Sequence, residues 1–158
     1  MKQKFFSILI IFTCLFGFIA SANAENYVGT LSNVTMNGKH FNNVTNTVFS
    51  LTDNGDGTYL LQGEIQKIGK MPGTISINVP VYIINGTISP TAKNREAGIL
   101  KTAFMKQKIK LRNISGSLQG GLLHFVIETY AGWDIFPMFP ASVTFDENLN
   151  VYCGAAYS

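Results

Sequence analysis

His40 and His124 are the only histidines of the chain, and Cys153 is the one cysteine beyond its first 24 residues. With the carboxylates, these are the side chains that could ligate a metal or move a proton. A metal site needs ligands at short regular spacings, or ligands brought together by folding. His40 abuts the turn Asn37-Gly38 and His124 lies within an alternating stretch, neither with a second ligand nearby in sequence. A nucleophile needs a base within hydrogen-bond reach. Cys153 has no evident one, and reads as a small buried side chain or as one half of an intermolecular disulfide. The segment Asp53-Asn-Gly-Asp-Gly-Thr58 is rich in oxygen ligands, yet Gly55 and Gly57 fall where a calcium loop needs its third and fifth side chains. It reads as a tight strand reversal, its Asn-Gly and Asp-Gly pairs supplying the positive φ such a turn requires. No catalytic residue, metal ligand or cofactor motif is expected.

Two stretches carry binding chemistry instead. Between Tyr130 and Pro140 the chain is unusually apolar for a connection, with Trp133, Phe136, Met138 and Phe139 as candidate ligand contacts. Exposed apolar patches mark contact sites; against that stands the reading in which the same side chains plug one end of a barrel and complete its core, since an eight-stranded interior can simply be filled. The second stretch alternates Lys106, Lys108, Lys110 and Arg112 with Gln107, Ile109 and Leu111. In a strand this places the positive charges on one face. Such a face can meet an anionic glycan, a lipid phosphate or a partner protein, or simply keep a strand solvated and free of edge-to-edge pairing.

Strands must position these residues. Phe49 and Leu51 before the Asp53–Thr58 turn, and Tyr59, Leu61, Gly63 and Ile65 after it, alternate with polar residues, so Val48 to Gln66 reads as a hairpin with one buried face. Further strands are expected at 27–36, 41–52, 74–79 and 81–89, and again at 98–105, 106–114, 122–130, 141–145 and 151–157. Turns are expected at 115–121 and a loop at 132–140. Pro80 cannot donate to a ladder, so an edge, a bulge or a strand start is expected there. No segment beyond the leader has helical period. The fold class is therefore all-β: an antiparallel sandwich or barrel of about eight to ten short strands.

The leader itself is an export signal. Lys2 and Lys4 precede the apolar run Phe5 to Ile19, and Ala22-Asn23-Ala24 gives the small-x-small cleavage pattern, which divides the chain into a signal peptide at 1–24 and one domain at 25–158. The run is too short and wrongly flanked for a membrane span, and Cys14 stands in its middle, not at the end where a lipidated cysteine belongs. Two of the 12 basic residues leave with the leader and 9 acidic residues stay, so the domain is nearly neutral. That balance argues against a nucleic-acid partner.

The order of these motifs resembles a known family. Tyr27, Gly29 and Leu31 open the chain, the Leu51 to Leu61 core follows, then Gly116, Leu118, Leu123, Phe125 and Ile127, and finally Val143 and Phe145. The pattern is similar to the calycin-like, lipocalin-like barrel domains exported by Bacteroidetes, over roughly residues 27–145. The resemblance implies an up-and-down antiparallel barrel of about eight strands, in a family defined by its scaffold and without an established biochemical function. Unlike true lipocalins, the first strand has no tryptophan, since the sole Trp133 falls late in the chain.

The expected function is an exported, non-enzymatic binding module holding a small apolar or amphipathic ligand at the barrel mouth. The alternative is an inhibitor-like barrel that engages protein or glycan through its outer face or loops. The expected partner is accordingly a small hydrophobic molecule or a component of the cell envelope, in the periplasm, at the outer surface or in the medium. A cavity of several hundred cubic ångströms beside Trp133 would mark the first reading, and a filled barrel with a clustered basic stripe the second.

Overall fold

Alternation along each strand becomes a wall with one apolar side. The computed structural model describes residues 24–133 and 135–148. The expected leader (apart from Ala24), the strand expected at 151–157, Cys14 and Cys153 lie outside these residues. Ten strands follow one another: β1 (Ala24–Met36), β2 (Lys39–Phe41), β3 (Val44–Asp53), β4 (Thr58–Ile65), β5 (Gly73–Ile84), β6 (Thr87–Pro90), β7 (Glu96–Thr102), β8 (Lys106–Gln119), β9 (Leu122–Gly132) and β10 (Pro137–Glu147). Every pairing is antiparallel, and β10 returns to β1 with Phe145 opposite Leu31, which closes the sheet. Both β2 and β3 pair with β1, while β6 and β7 share the place between β5 and β8. The strands therefore make the expected eight-strand barrel. Among the described residues no helix is long and apolar enough to cross a membrane.

The interior is packed. Phe49, Phe125 and Phe145 meet at its centre, with centroid separations of 5.1 to 5.2 Å; Phe49 stands edge-on to the other two, which stack. Gly63 leaves room for the Phe49 ring, and Gly116 for the backbone of the strand that carries Phe125. A Cβ on Gly63 would lie 2.2 Å from a Phe49 ring carbon, and one on Gly116 would lie 2.1 Å from the His124 carbonyl oxygen and 2.6 Å from Phe125 Cα. Each glycine is the register partner of the phenylalanine it accommodates. Around the aromatic centre, Leu61, Ile77, Val79, Leu111 and Ile127 complete the core.

Bulges keep the inward set facing inward. On β1, Ser32 pairs with Thr144 and Thr35 with Ser142, so Asn33 is an extra residue, and it takes φ 50°. Leu31 and Val34 can then both point into the barrel. Arg112 does the same for Leu111 and Ile114 on β8. A bulge inserts one residue and resets which face follows.

Several expected boundaries move. The run expected at 41–52 is broken between Phe41 and Val44. The turn expected at 115–121 is confined to Gly120-Gly121, because β8 continues through Gly116, whose missing side chain serves packing against Phe125 and not chain reversal. The loop expected at 132–140 shortens to 133–136, which puts Met138 and Phe139 on β10. Pro80 lies within β5, opposite Leu60. Its carbonyl accepts from the Thr91 hydroxyl in the gap between β6 and β7. A strand residue turns its N and C=O toward the same neighbour, so the missing donor of Pro80 falls where no strand asks for one.

Candidate functional site

An up-and-down barrel gathers alternate turns at one end. Here that end, the rim, collects the turns 37–38, 66–72, 103–105 and 133–136. The interior beneath it is sealed. Met71 is buried, its N–H bonded to the Ile68 carbonyl (2.9 Å), and Ile68 and Phe139 pack against the core. The cavity remaining there, among Val34, Ile65, Met71, Ile75, Ile127 and Thr129, measures about 10 Å³. That is room for about one water molecule and for no organic ligand.

Outside the seal the rim is apolar. Trp133 is 70 % exposed, Ile135 85 %, Phe136 72 % and Phe104 96 %, with Met105 and Met138 also exposed. They belong to two neighbouring hairpins, β7–β8 and β9–β10, joined by the β8–β9 ladder, in which Ile109 faces Ala131. Of the residues expected to contact a ligand, Trp133, Phe136 and Met138 thus project outward. Phe139 instead turns inward at a bulge, with φ 49°, and helps to close the barrel. Sequence reasoning missed Phe104 and Met105, reading them as a strand end; the signal available was an apolar pair directly between Lys101 and Lys106.

Lysines surround these tips. Lys39, Lys67, Lys70, Lys101 and Lys106 are all exposed at or beside the rim turns. Lys108 stands lower on the wall, 3.6 Å from Glu96. Arg112 leaves the expected ladder: its guanidinium lies 4.3 Å from the centroid of the buried Tyr130 ring, whose hydroxyl donates to Asn94 (2.9 Å). Lys106, Lys108 and Lys110 share the outward face, but Arg112 sits at a bulge over Tyr130, and the 91–95 connection is held by the Leu111 backbone, whose carbonyl accepts from the Asn94 N–H (2.7 Å) and whose N–H donates to the Arg95 carbonyl (2.8 Å). The barrel's other end is acidic, with Asp53, Asp56 and Asp146 exposed and Glu25 and Glu147 half-buried.

Other candidates can be placed. In the 54–57 turn the carboxylates are occupied by the turn itself. Asp53 accepts from the Gly55 N–H (2.8 Å), and Asp56 accepts from the Thr58 hydroxyl (2.5 Å) and N–H (3.0 Å). These Thr58 bonds hold the Asp56 carboxyl below its ordinary range. Among the described residues no group of His, Cys, Asp and Glu gathers as a metal cluster. His124 Nδ1 lies 2.5 Å from Asp146, and Ser117 is its register partner on the other side. This Ser-His-Asp row runs across the outer wall, and none of its three residues lines the cavity beneath the rim or the concavity on the β3–β4 side of the wall. A hydrolytic site also needs a place for substrate and oxyanion donors. Glu128 is on the same face as His124 but about 13 Å along the strand.

A concavity of about 620 Å³ lies on the outer wall where β3 and β4 stop pairing beyond Phe49 and Gly63. Thr47, Ser50, Gln62, Glu64, Ser76 and Asn78 line it. Neutral amides and hydroxyls predominate there, with no aromatic platform and no cation to select a ligand.

No family model, curated protein or solved structure matches this chain.

Proposed function

We propose that this chain is an exported, non-enzymatic binding module that works through the outside of one barrel end. The observation that carries the reading is the pairing of a sealed interior with an apolar rim. A cavity of about 10 Å³ leaves nothing for a carrier to hold, while Phe104, Trp133, Ile135 and Phe136 stand in solvent directly above it. Lone exposed apolar residues are ordinary; several gathered on two adjacent turns mark a contact surface. Between the two expectations drawn from the sequence, this favours the barrel that acts through its loops over the carrier with a filled mouth. The likeness to exported calycin-like barrels, and the leader at 1–24, support a place outside the cytoplasm, facing a cell-envelope partner.

Trp133, the only tryptophan, reports on this surface directly. The test is its emission when the protein is titrated with envelope fractions of the exporting cell. A blue shift that is abolished by Phe136→Ser supports the rim as the working surface. Unchanged emission, with the protein nevertheless retained by the fraction, places the contact elsewhere and overturns the reading.

A further inference from the structure

We infer that the rim docks on an anionic lipid surface. The inference rests on the reading of the rim as the working end and names its partner. Four observations point to lipid.

The apolar residues project from turn tips and do not line a groove. Phe104, Trp133, Ile135 and Phe136 are of the types that settle at a membrane interface, where aromatic rings bridge headgroup and acyl chain.

The backbone of the Phe104 tip is prepared for a dry environment. The Thr102 N–H donates to the Met105 carbonyl (2.9 Å), and the Thr102 hydroxyl oxygen accepts from the N–H groups of Met105 (3.1 Å) and Phe104 (3.3 Å). Unpaired backbone donors would oppose entry into an apolar phase; here the N–H groups of Thr102, Phe104 and Met105 are satisfied within the turn.

The charges are arranged for headgroups. Lys39, Lys67, Lys70, Lys101 and Lys106 surround the tips, and Lys101 is the register partner of Lys106. Like charges directly opposite in a ladder oppose folding, and phosphate oxygens between them would remove that opposition. In sequence, Asp134 between Trp133 and Ile135 and the exposed Glu64 beside the 66–72 turn are carboxylates set against these five lysines.

Charge polarity also sets the orientation. The far end exposes Ile84 and Leu122 too, but beside Asp53, Asp56 and Asp146. An anionic surface repels that end and attracts the rim, so the barrel stands end-on, its polar wall in water.

The test is sedimentation of the leader-free protein with vesicles of phosphatidylcholine, alone or mixed with phosphatidylglycerol. Binding to the mixed vesicles is expected, weakening with salt. Each lysine near an anionic surface contributes roughly fivefold in partitioning, so Lys101→Glu with Lys106→Glu should lower the partition coefficient at least tenfold. Lys93→Glu, in the 91–95 connection on the wall, should change it less than twofold. Equal partitioning on both vesicle types, or none on either, overturns the lipid assignment. If vesicles fail while Trp133 still shifts with envelope proteins, the rim reading stands without it. If Trp133→Ser with Phe136→Ser binds the mixed vesicles like the unaltered protein, both fall.

Discussion

Lys101 and Lys106 face each other across the base of the hairpin that carries Phe104 and Met105. Both ammonium groups are exposed and lie on the same side of the ladder. An unlike pair at these positions would be worth roughly 0.2–1 kcal/mol, and the like pair opposes folding by a similar amount. The hairpin thus carries two features that folding alone does not favour, a repelling pair and a phenylalanine in water.

Lys101→Glu should therefore raise stability, by about 0.5 kcal/mol from the new pair with Lys106, and weaken binding to anionic vesicles. Urea denaturation checks the first part. A lower midpoint would mean that Lys101 holds some contact that stabilises the hairpin.

Stability and binding should separate at the rim. Trp133→Ser and Phe136→Ser alter residues that touch mainly solvent, so each should change stability by no more than about 0.5 kcal/mol while removing binding. Phe139→Ala should do the reverse. It withdraws a ring from the barrel seal and is expected to cost about 1–3 kcal/mol. Thermal melts of the three variants decide this; equal losses would place all three side chains in the seal.

Gly63→Ala and Gly116→Ala should both destabilise the barrel, by about 1–3 kcal/mol or more. The second should be worse. A Cβ at 63 meets the Phe49 ring, which can shift somewhat, whereas one at 116 meets the His124 carbonyl in the neighbouring strand. Denaturant midpoints for the pair give the order, and a tolerated Gly116→Ala would show that β8 and β9 pack more loosely than described.

Asp56 gives a pH dependence of known sign. Its carboxyl is held below the ordinary value of 3.8 by the Thr58 hydroxyl and N–H. A depressed folded value means that the ionised form stabilises the turn above pH 3.8. That contribution is then lost as pH falls through the folded value. An NMR titration of the Asp56 side chain should place its midpoint under 3.8, and Thr58→Ala should raise it. A midpoint at or above 3.8 in the unaltered protein would contradict the hydrogen bonding described for the turn.

What could be read from sequence was mostly local. The Val48–Gln66 hairpin is legible because alternation and turn chemistry act within a few residues, and its register, Phe49 to Gly63, follows from them. Gly116 misled because glycine marks both turns and close approaches, and only the backbone of His124 and Phe125 across the ladder distinguishes them. Closure through Leu31 and Phe145 is a contact between the two ends of the chain, beyond any local pattern. The site was half visible. Trp133 and Phe136 declared themselves as an apolar connection, but Lys39, Lys67, Lys70 and Lys101 are scattered along the sequence. They converge because turns alternate between the two ends, a rule that becomes usable once the strands are placed.

The most direct measurement of the central claim is quenching of Trp133 by lipids brominated along the acyl chain, in vesicles containing phosphatidylglycerol. Docking through the rim predicts a blue-shifted emission quenched by the brominated chains, with both effects absent in vesicles of phosphatidylcholine alone. Protein that binds the anionic vesicles while Trp133 stays unshifted and unquenched would contradict it, since the rim would then be facing water.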